Sequence, residues 1–284
     1  MKPWIVAWLI GHDLPGWLVP DYFKLAGMAA LVGSVIALRL AARDGASQAH
    51  TARAIACAYV GALAGGYLFE AARALPAALA AWSWRPMLYS GRAAYGGLLA
   101  GIGAAWLYLR ITRQPIAQFF DHAAVGAGLT FALVRTGCFL AGCDYGLPTA
   151  GAWGMRFPPG SLAALDHARR GFIPPGAPSL PVHPTQLYEA ALGLLAAAGA
   201  AVLIARGRRD GRAFALFLGI YATGRFAIEF LRGDQERGGA LGLSTAQWVS
   251  VAIVLALAWR ARRPLQRTSP PREHCYNISE PFVR

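Results

Sequence analysis

Apolar residues run through this chain in long blocks, not in the alternation of a strand or the one-sided stripe of a surface helix. Blocks long enough to cross a hydrocarbon core about 30 Å thick lie near residues 21–42, 52–73, 94–111, 116–141, 186–206, 212–231 and 244–261. Each is expected to be a membrane-spanning helix. The pattern predicts an all-α polytopic bundle of seven spans, one domain over 1–263. Residues 1–19 mix Trp4, Trp8 and Trp17 with Pro3, Pro15 and Gly16. They read as an interfacial lead-in, and no cleavable signal peptide is expected, since a basic n-region, a clean apolar core and a small-residue cleavage site do not follow one another there. Between the fourth and fifth blocks, residues 142–184 carry Pro148, Pro158, Pro159, Pro174, Pro175, Pro178, Pro181 and Pro184 with many glycines. Proline removes a backbone donor and fixes φ, so this stretch is expected to form ordered turns or a small lid rather than another helix. So long a connection in a compact domain is often functional. The polar, Pro-rich tail 264–284 is expected to be mobile.

Composition agrees with a membrane class. Of 284 residues 56% are hydrophobic and 14% charged, with a mean hydropathy of +0.40, whereas soluble domains carry about 25% charged residues. A net charge of +13 and a pI near 10.3 would point to nucleic acid in a soluble protein. Here the basic residues sit in short loops between apolar blocks, where they set orientation and meet anionic lipid; no nucleic-acid partner is expected. With seven spans, fifteen of the 27 Lys and Arg fall on the side of the C-terminus and ten on the other, which includes the longest loop. That bias predicts an external N-terminus and a cytoplasmic C-terminus. Four cysteines make no disulfide framework, and Cys57 lies in an apolar block where an inert buried thiol is expected.

Charges inside the blocks are few and costly, about 3 kcal/mol or more at bilayer depth, so they mark interior or watery positions. The stretch RTGCFLAGCDY, Arg135 to Tyr145, places a guanidinium, the thiols of Cys138 and Cys143 and a carboxylate at the end of a long apolar run. In VHPTQLYEA, His183 precedes Pro184, Gln186 stands where the fifth helix starts, and Tyr188 and Glu189 fall in its first turns; a carboxylate there gains from the helix N-terminal charge. In GRFAIEFLRGD, Arg225 and Glu229 share one face four residues apart, with Arg232 and Asp234 at the exit. Each has a bland structural reading, Glu189 as a helix-start charge and Arg225 with Glu229 as a neutralising pair. Taken together, two arginines near one mouth are suited to phosphate, which guanidinium forks bind bidentately, and a sideways-opening cavity would offer them phospholipid headgroups. Tyr95, Gly96 and Gly97 open a glycine-rich piece that reads as a close-packing seam or as room for a headgroup beside the Tyr95 hydroxyl.

The order of these motifs resembles the prolipoprotein diacylglyceryl transferase family through nearly the whole chain: GGYLFE, YGGLLAG, VRTGCFLAGCDYG, WGMRFP, HPTQLYEA, GRFAIEFLRGD and LSTAQWVS. The resemblance implies a seven-helix enzyme of the bacterial inner membrane acting at the periplasmic face. It would move the diacylglyceryl group of phosphatidylglycerol to the lipobox cysteine thiol of a preprolipoprotein, releasing glycerol phosphate, without a cofactor. Arg135 and Arg225 match the family's arginines and become phosphate partners. Glu229 orients an arginine; His183, Gln186, Tyr188, Glu189, Tyr145, Arg232, Gly96 and Gly97 shape the substrate site.

The chain also departs from the family pattern. Tyr95 stands in place of a histidine, Cys138 of an asparagine, Cys143 of a glutamate and Leu147 of an arginine. A phenol with a reference pKa of about 10 is a poor base near neutrality. The departures leave open a related transferase with another acceptor, or a silent lipid-binding protein. Cys138 and Cys143 point about 140° apart on a regular helix, but Gly142 and Gly146 are expected to end the helix nearby. A disulfide, a reduced packed pair and a thiolate nucleophile activated by Arg135 all stay open. No metal is expected, since no second Cys pair or His cluster completes a four-ligand site.

Overall fold

The computed structural model describes residues 22–88, 94–233 and 239–262. The lead-in segment, the tail and Asp234 lie outside the described residues. In chain order the helices are α1 (Tyr22–Arg43), α2 (Gln48–Ala80), a single turn α3 (Arg85–Leu88), α4 (Ala94–Ile111), α5 (Ile116–Ala141), α6 (Leu162–Arg169), α7 (Thr185–Ala205) and α8 (Arg212–Glu229). A two-residue hairpin, β1 (Gly239–Ala240) and β2 (Leu243–Ser244), leads into α9 (Thr245–Arg262). Seven of the described helices have 18 residues or more and coincide with the seven apolar blocks. The largest difference is α2, 33 residues long. Its first turn is polar and capped by Ser47, so a search for apolar residues alone starts it late, and the helix also runs on past Arg73 through the apolar residues 74–80 with Pro76 inside it.

By length and hydropathy α1, α2, α5 and α7 can cross a membrane, and Gly96–Ile111 is a shorter apolar helix. Helix α8 carries Arg212, Arg225 and Glu229 among its 18 residues. The surface matches lipid: Leu31, Val60, Leu63, Leu68, Leu107 and Leu195 are all more than half exposed. The interior is built from small residues. In α1 the buried positions are Ala29, Gly33, Ala37 and Ala41, one every fourth residue, the stripe that lets helix backbones approach when packing rather than water expulsion drives association. A Cβ on Gly126 would collide with the Gly33 carbonyl. Gly96 and Gly97 likewise lie against α2, where an added Cβ would stand 2.6 Å from Gly65 O and 2.8 Å from Ala62 O respectively. The packing reading of that seam holds.

Helices α1, α5, α7, α8 and α9 pack in that order, while α2 pairs with α4 and meets the rest mainly through α1. Between the two groups lies an apolar cavity of about 300 Å³. It follows α5 from Phe119 and Phe120 up to Val134, one residue short of Arg135.

At one end of α5 the buried His122 bonds Asp44, which also takes a two-pronged bond from Arg209. Asp121, fully buried, accepts the N–H groups of Gly211 and Phe214 at 2.8 Å each. These bonds tie the α1–α2 and α7–α8 turns to α5. At the opposite end, residues 142–184 fold into a small unit whose buried Tyr145, Phe157, Ala163 and Val182 pack with Phe139 of α5. The expectation of no helix here is corrected by α6, capped by Ser161, which accepts from Ala164 N at 3.2 Å. The prolines flank α6 instead of interrupting it.

Candidate active site

Helix α5 ends where Gly142 adopts a left-handed φ of 70°. Asp144 follows at φ 56°, a conformation Asp tolerates better than most residues. The chain folds back on the last helical turn, and the Cys143 thiol comes within 3.6 Å of the Cys138 carbonyl. Both cysteines are free thiols. Their sulfurs and an Asp144 carboxylate oxygen all lie within 4.8 Å of one another. The helical wheel would have kept the thiols apart; the left-handed turn brings them together.

The segment after Asp144 is held as the middle of a three-stranded patch. Gly146 N donates to His183 O at 2.9 Å, Leu147 N to Leu231 O at 2.7 Å and Gly233 N to Tyr145 O at 3.0 Å. Gly146 is required here: a Cβ would stand 2.6 Å from His183 O and 2.7 Å from Leu231 O. This patch carries Arg232, expected in an external loop, into the interior at 9% exposure.

Four side chains then close a ring of opposite charges. Arg135 bonds Asp144 Oδ2 through Nη1 at 2.8 Å and lies 2.7 Å from Glu189 Oε2 through Nε, an ion pair without hydrogen-bond alignment. Arg232 bonds Glu189 Oε1 at 3.0 Å and Asp144 Oδ1 at 2.5 Å. Arg225 pairs with Glu229 one turn on, and its Nε lies 3.8 Å from Glu189. Glu189 is fully buried among three guanidinium groups, so its placement goes well beyond a helix-start charge. Exposure grades the cluster: the Glu189 and Arg232 side chains are 0% and 4% exposed, Arg135 15% and Asp144 32%. The ring opens toward solvent at Arg135 and Asp144 and closes toward Arg225 and Glu229. Burial raises the pKa of Asp144, but Arg232 and Arg135 outweigh it and hold the carboxyl well below the usual carboxylate range. In this setting Asp144 is a poor base.

The start of α7 locks the turn. Thr185 Oγ1 donates to Asp144 O at 2.8 Å, and Gln186 Nε2 to Cys143 O at 2.6 Å. Both residues are fully buried, and Gln186 Oε1 has no partner among the described residues. His183 and Tyr188 face each other at 3.3 Å, half-buried. Tyr145 belongs to the core of the 142–184 unit at 4% exposure, its hydroxyl bonded to Asp166 of α6, which also pairs with Arg170. His167 beneath it accepts Leu180 N–H at 3.1 Å, and burial lowers its pKa. Tyr95 is the second residue of α4, and its side chain lies outside the described residues. Asp144 was missed as a site residue. A carboxylate just past a helix C-terminus, where the dipole disfavours it, signals that cationic partners must be near.

The ring thus brings together the expected site residues Arg135, Glu189 and Arg232 with Asp144, Arg225 and Glu229 adjoin it at Glu189, and Cys138, Cys143 and Gln186 lie beside it. A family model described as prolipoprotein diacylglyceryl transferase matches residues 16–261. The chain is 32% identical over 169 residues to the phosphatidylglycerol–prolipoprotein diacylglyceryl transferase of Clostridium tetani, covering 59% of this chain and 62% of that protein. It is 35% identical over 196 residues to the protein of the same name from Gloeobacter violaceus, covering 66% and 68%. A Clostridium perfringens relative is 33% identical over 174 residues, 58% and 59%. The chain spans about three fifths of the length of the first two relatives from Clostridium. The family match over most of the chain, on a membrane helix bundle with this arginine–carboxylate ring, places the protein in the prolipoprotein diacylglyceryl transferase family.

Proposed function

We propose that this protein transfers the diacylglyceryl group of phosphatidylglycerol to the lipobox cysteine thiol of a preprolipoprotein. The observation that carries the reading is that the more exposed edge of the ring, at Arg135, lies one residue along α5 from Val134, the last residue of that helix lining the apolar cavity. A phospholipid has this division, an anionic phosphate above apolar tails. The cavity volume, about 300 Å³, is at the lower end of the roughly 300–1,000 Å³ of ligand pockets.

The reaction is a substitution at the glycerol carbon that carries the phosphate. The acceptor sulfur forms the S–C bond, the C–O bond breaks, and its electron pair leaves on glycerol phosphate. A phosphodiester with one negative charge becomes a monoester carrying more, so catalysis needs cationic donors that meet the departing oxygen. Arg135 commits Nε and Nη1 to the ring, and its Nη2 edge is the part offered to that phosphate. Arg225 stands behind it at the closed side, with Glu229 orienting it. Glu189 and Asp144 fix the guanidinium planes in advance. The half-buried His183 and Tyr188 line the mouth, the buried Gln186 holds the Cys143 turn beneath it, and the lid over 142–184 covers it. The bundle crosses the bacterial inner membrane seven times with its N-terminus periplasmic, the lid on the periplasmic side and the tail 264–284 in the cytoplasm.

The test is glycerol phosphate release from phosphatidylglycerol by purified protein, with and without a lipobox peptide, beside Arg225→Ala. Peptide-dependent release that the variant abolishes supports the reading. Release that ignores the peptide points to another acceptor, and no release while lipid still binds defeats it.

A further inference from the structure

The transfer needs the acceptor thiol as thiolate, yet every carboxylate of the described cluster is tied to guanidinium: Asp144 to Arg135 and Arg232, Glu189 to the same pair, Glu229 to Arg225. Beside them sit three groups of a different chemistry. The sulfurs of Cys138 and Cys143 and a carboxylate oxygen of Asp144 lie within 4.8 Å of one another. In a tetrahedral zinc site, with Zn–S about 2.3 Å and Zn–O about 2.0 Å, ligand atoms stand roughly 3.5–3.8 Å apart. Small side-chain rotations bridge that difference.

We propose that Cys138, Cys143 and Asp144 form a three-ligand site for a thiophilic divalent cation of the zinc type, whose fourth position takes the acceptor thiol. The inference rests on the thiol-alkylation reading above. Three observations favour it. The donor set, two thiolates and a carboxylate with one position open, has the composition and vacancy of a catalytic zinc site. Charge closes as well: three arginines already balance three carboxylates formally, so two thiolates and one divalent cation add no net charge to a buried place. Finally, Gln186 is fully buried with its amide on the Cys143 carbonyl, and its Oε1 has no partner among the described residues; a water on the cation would satisfy it. The arginine bonds of Asp144 do not compete with coordination, because each carboxylate oxygen has a second lone pair. Arg135 Nη1, 4.0 Å from the Cys138 sulfur, offers that thiolate a donor.

The step balances without an oxidant. The acceptor S–H bond breaks as its sulfur enters the fourth position, and the proton passes to water. The metal-held thiolate then displaces glycerol phosphate from carbon, and the thioether formed, a weak ligand, departs. A bound divalent cation deprotonates a coordinating thiol outright, which supplies what the tied carboxylates do not.

The experiment measures zinc by mass spectrometry in protein purified in detergent under reducing conditions, then activity after chelation. About one zinc per chain is expected, lost in Cys138→Ser and Cys143→Ser and kept in Cys57→Ser and Cys275→Ser. Cobalt loaded into the wild-type chain should give thiolate charge-transfer absorption, a readout that does not depend on any variant folding. Chelation should lower peptide alkylation by about 10²-fold or more, with recovery on added zinc. No zinc retained at equimolar metal, or equal zinc in all four variants, overturns the site. Cysteine-dependent zinc with alkylation indifferent to chelation overturns the activation role. Cysteine-dependent zinc with no alkylation of any lipobox peptide upholds the site, and it is then the transferase reading that fails.

Discussion

Replacing Glu189 by Gln tests the ring directly. The carboxylate is fully buried, 2.7 Å from Arg135, 3.0 Å from Arg232 and 3.8 Å from Arg225. A carboxamide keeps one acceptor but turns an NH2 group toward a guanidinium, so at least one cation is left facing a donor. Breaking a buried pair by neutralising one partner costs about 3–5 kcal/mol, because the other charge stays buried and uncompensated. On the scale of about 2–4 °C per kcal/mol for domains of this size, the midpoint should fall by about 6–20 °C. The internal control is Glu70→Gln, which breaks the surface pair with Arg73, whose side chain is 55% exposed. Such a pair is worth about 0.2–1 kcal/mol. Tryptophan fluorescence during heating in detergent reads both, and a Glu189→Gln/Arg232→Met double variant measures the coupling. If Glu189→Gln melts no lower than Glu70→Gln, the ring does not stabilise the closed end of the site and the argument from burial fails.

Other consequences are as specific. Arg135→Lys keeps the charge but not the fork that spans Asp144 and Glu189, and should lower glycerol phosphate release by about 10²–10³-fold, the range for losing one oxyanion donor. Gly146→Ala forces a Cβ to 2.6 Å from His183 O, so the lid should unclamp, read as faster limited proteolysis within 142–184 with α5 intact. The Arg209 hydrogen bonds, assisted by His122 against burial, lower the carboxyl of Asp44 from 3.8 to about 2. A folded pKa below the unfolded one stabilises above about pH 4 and loses that contribution as pH falls toward 2. Asp44→Asn should therefore lower the midpoint at pH 7 by the equivalent of about 1–3 kcal/mol and flatten its fall between pH 4 and 2.

Much of the fold was legible because a membrane imposes a coarse rule on sequence. Six of the seven apolar blocks reappear as helices to within about two residues, the seventh as the longer α2, and Arg225 with Glu229 met as their four-residue spacing required. What stayed hidden depends on backbone turns that composition does not encode. The approach of Cys138 and Cys143 follows from the left-handed conformation of Gly142 between them. Arg232 read as a loop charge because nothing local says that residues 231–233 pair with 145–147. Glu189 and Asp144 became partners across a separation of 45 positions, through ion pairs to the same two arginines. Helix α6 was missed because prolines on either side outweighed an eight-residue run with a serine cap.

Helix α5 is pinned at both ends, by His122 with Asp121 at one and Arg135 at the other. Thirteen residues separate His122 from Arg135, about 20 Å of helix, and any tilt shortens the depth further. A hydrocarbon slab is about 30 Å thick. The two charged ends therefore cannot both sit level with the headgroups. With the His122 end at one interface, Arg135 hangs about 10 Å below the opposite one, and a lipid that reaches it must sink out of its monolayer by roughly the depth of a headgroup. In the proposed transfer, chemistry at that depth proceeds away from bulk water, which there competes poorly with a thiol for the same carbon. On that reading, hydrolysis of the lipid donor is held off by the level at which the protein sets its arginine.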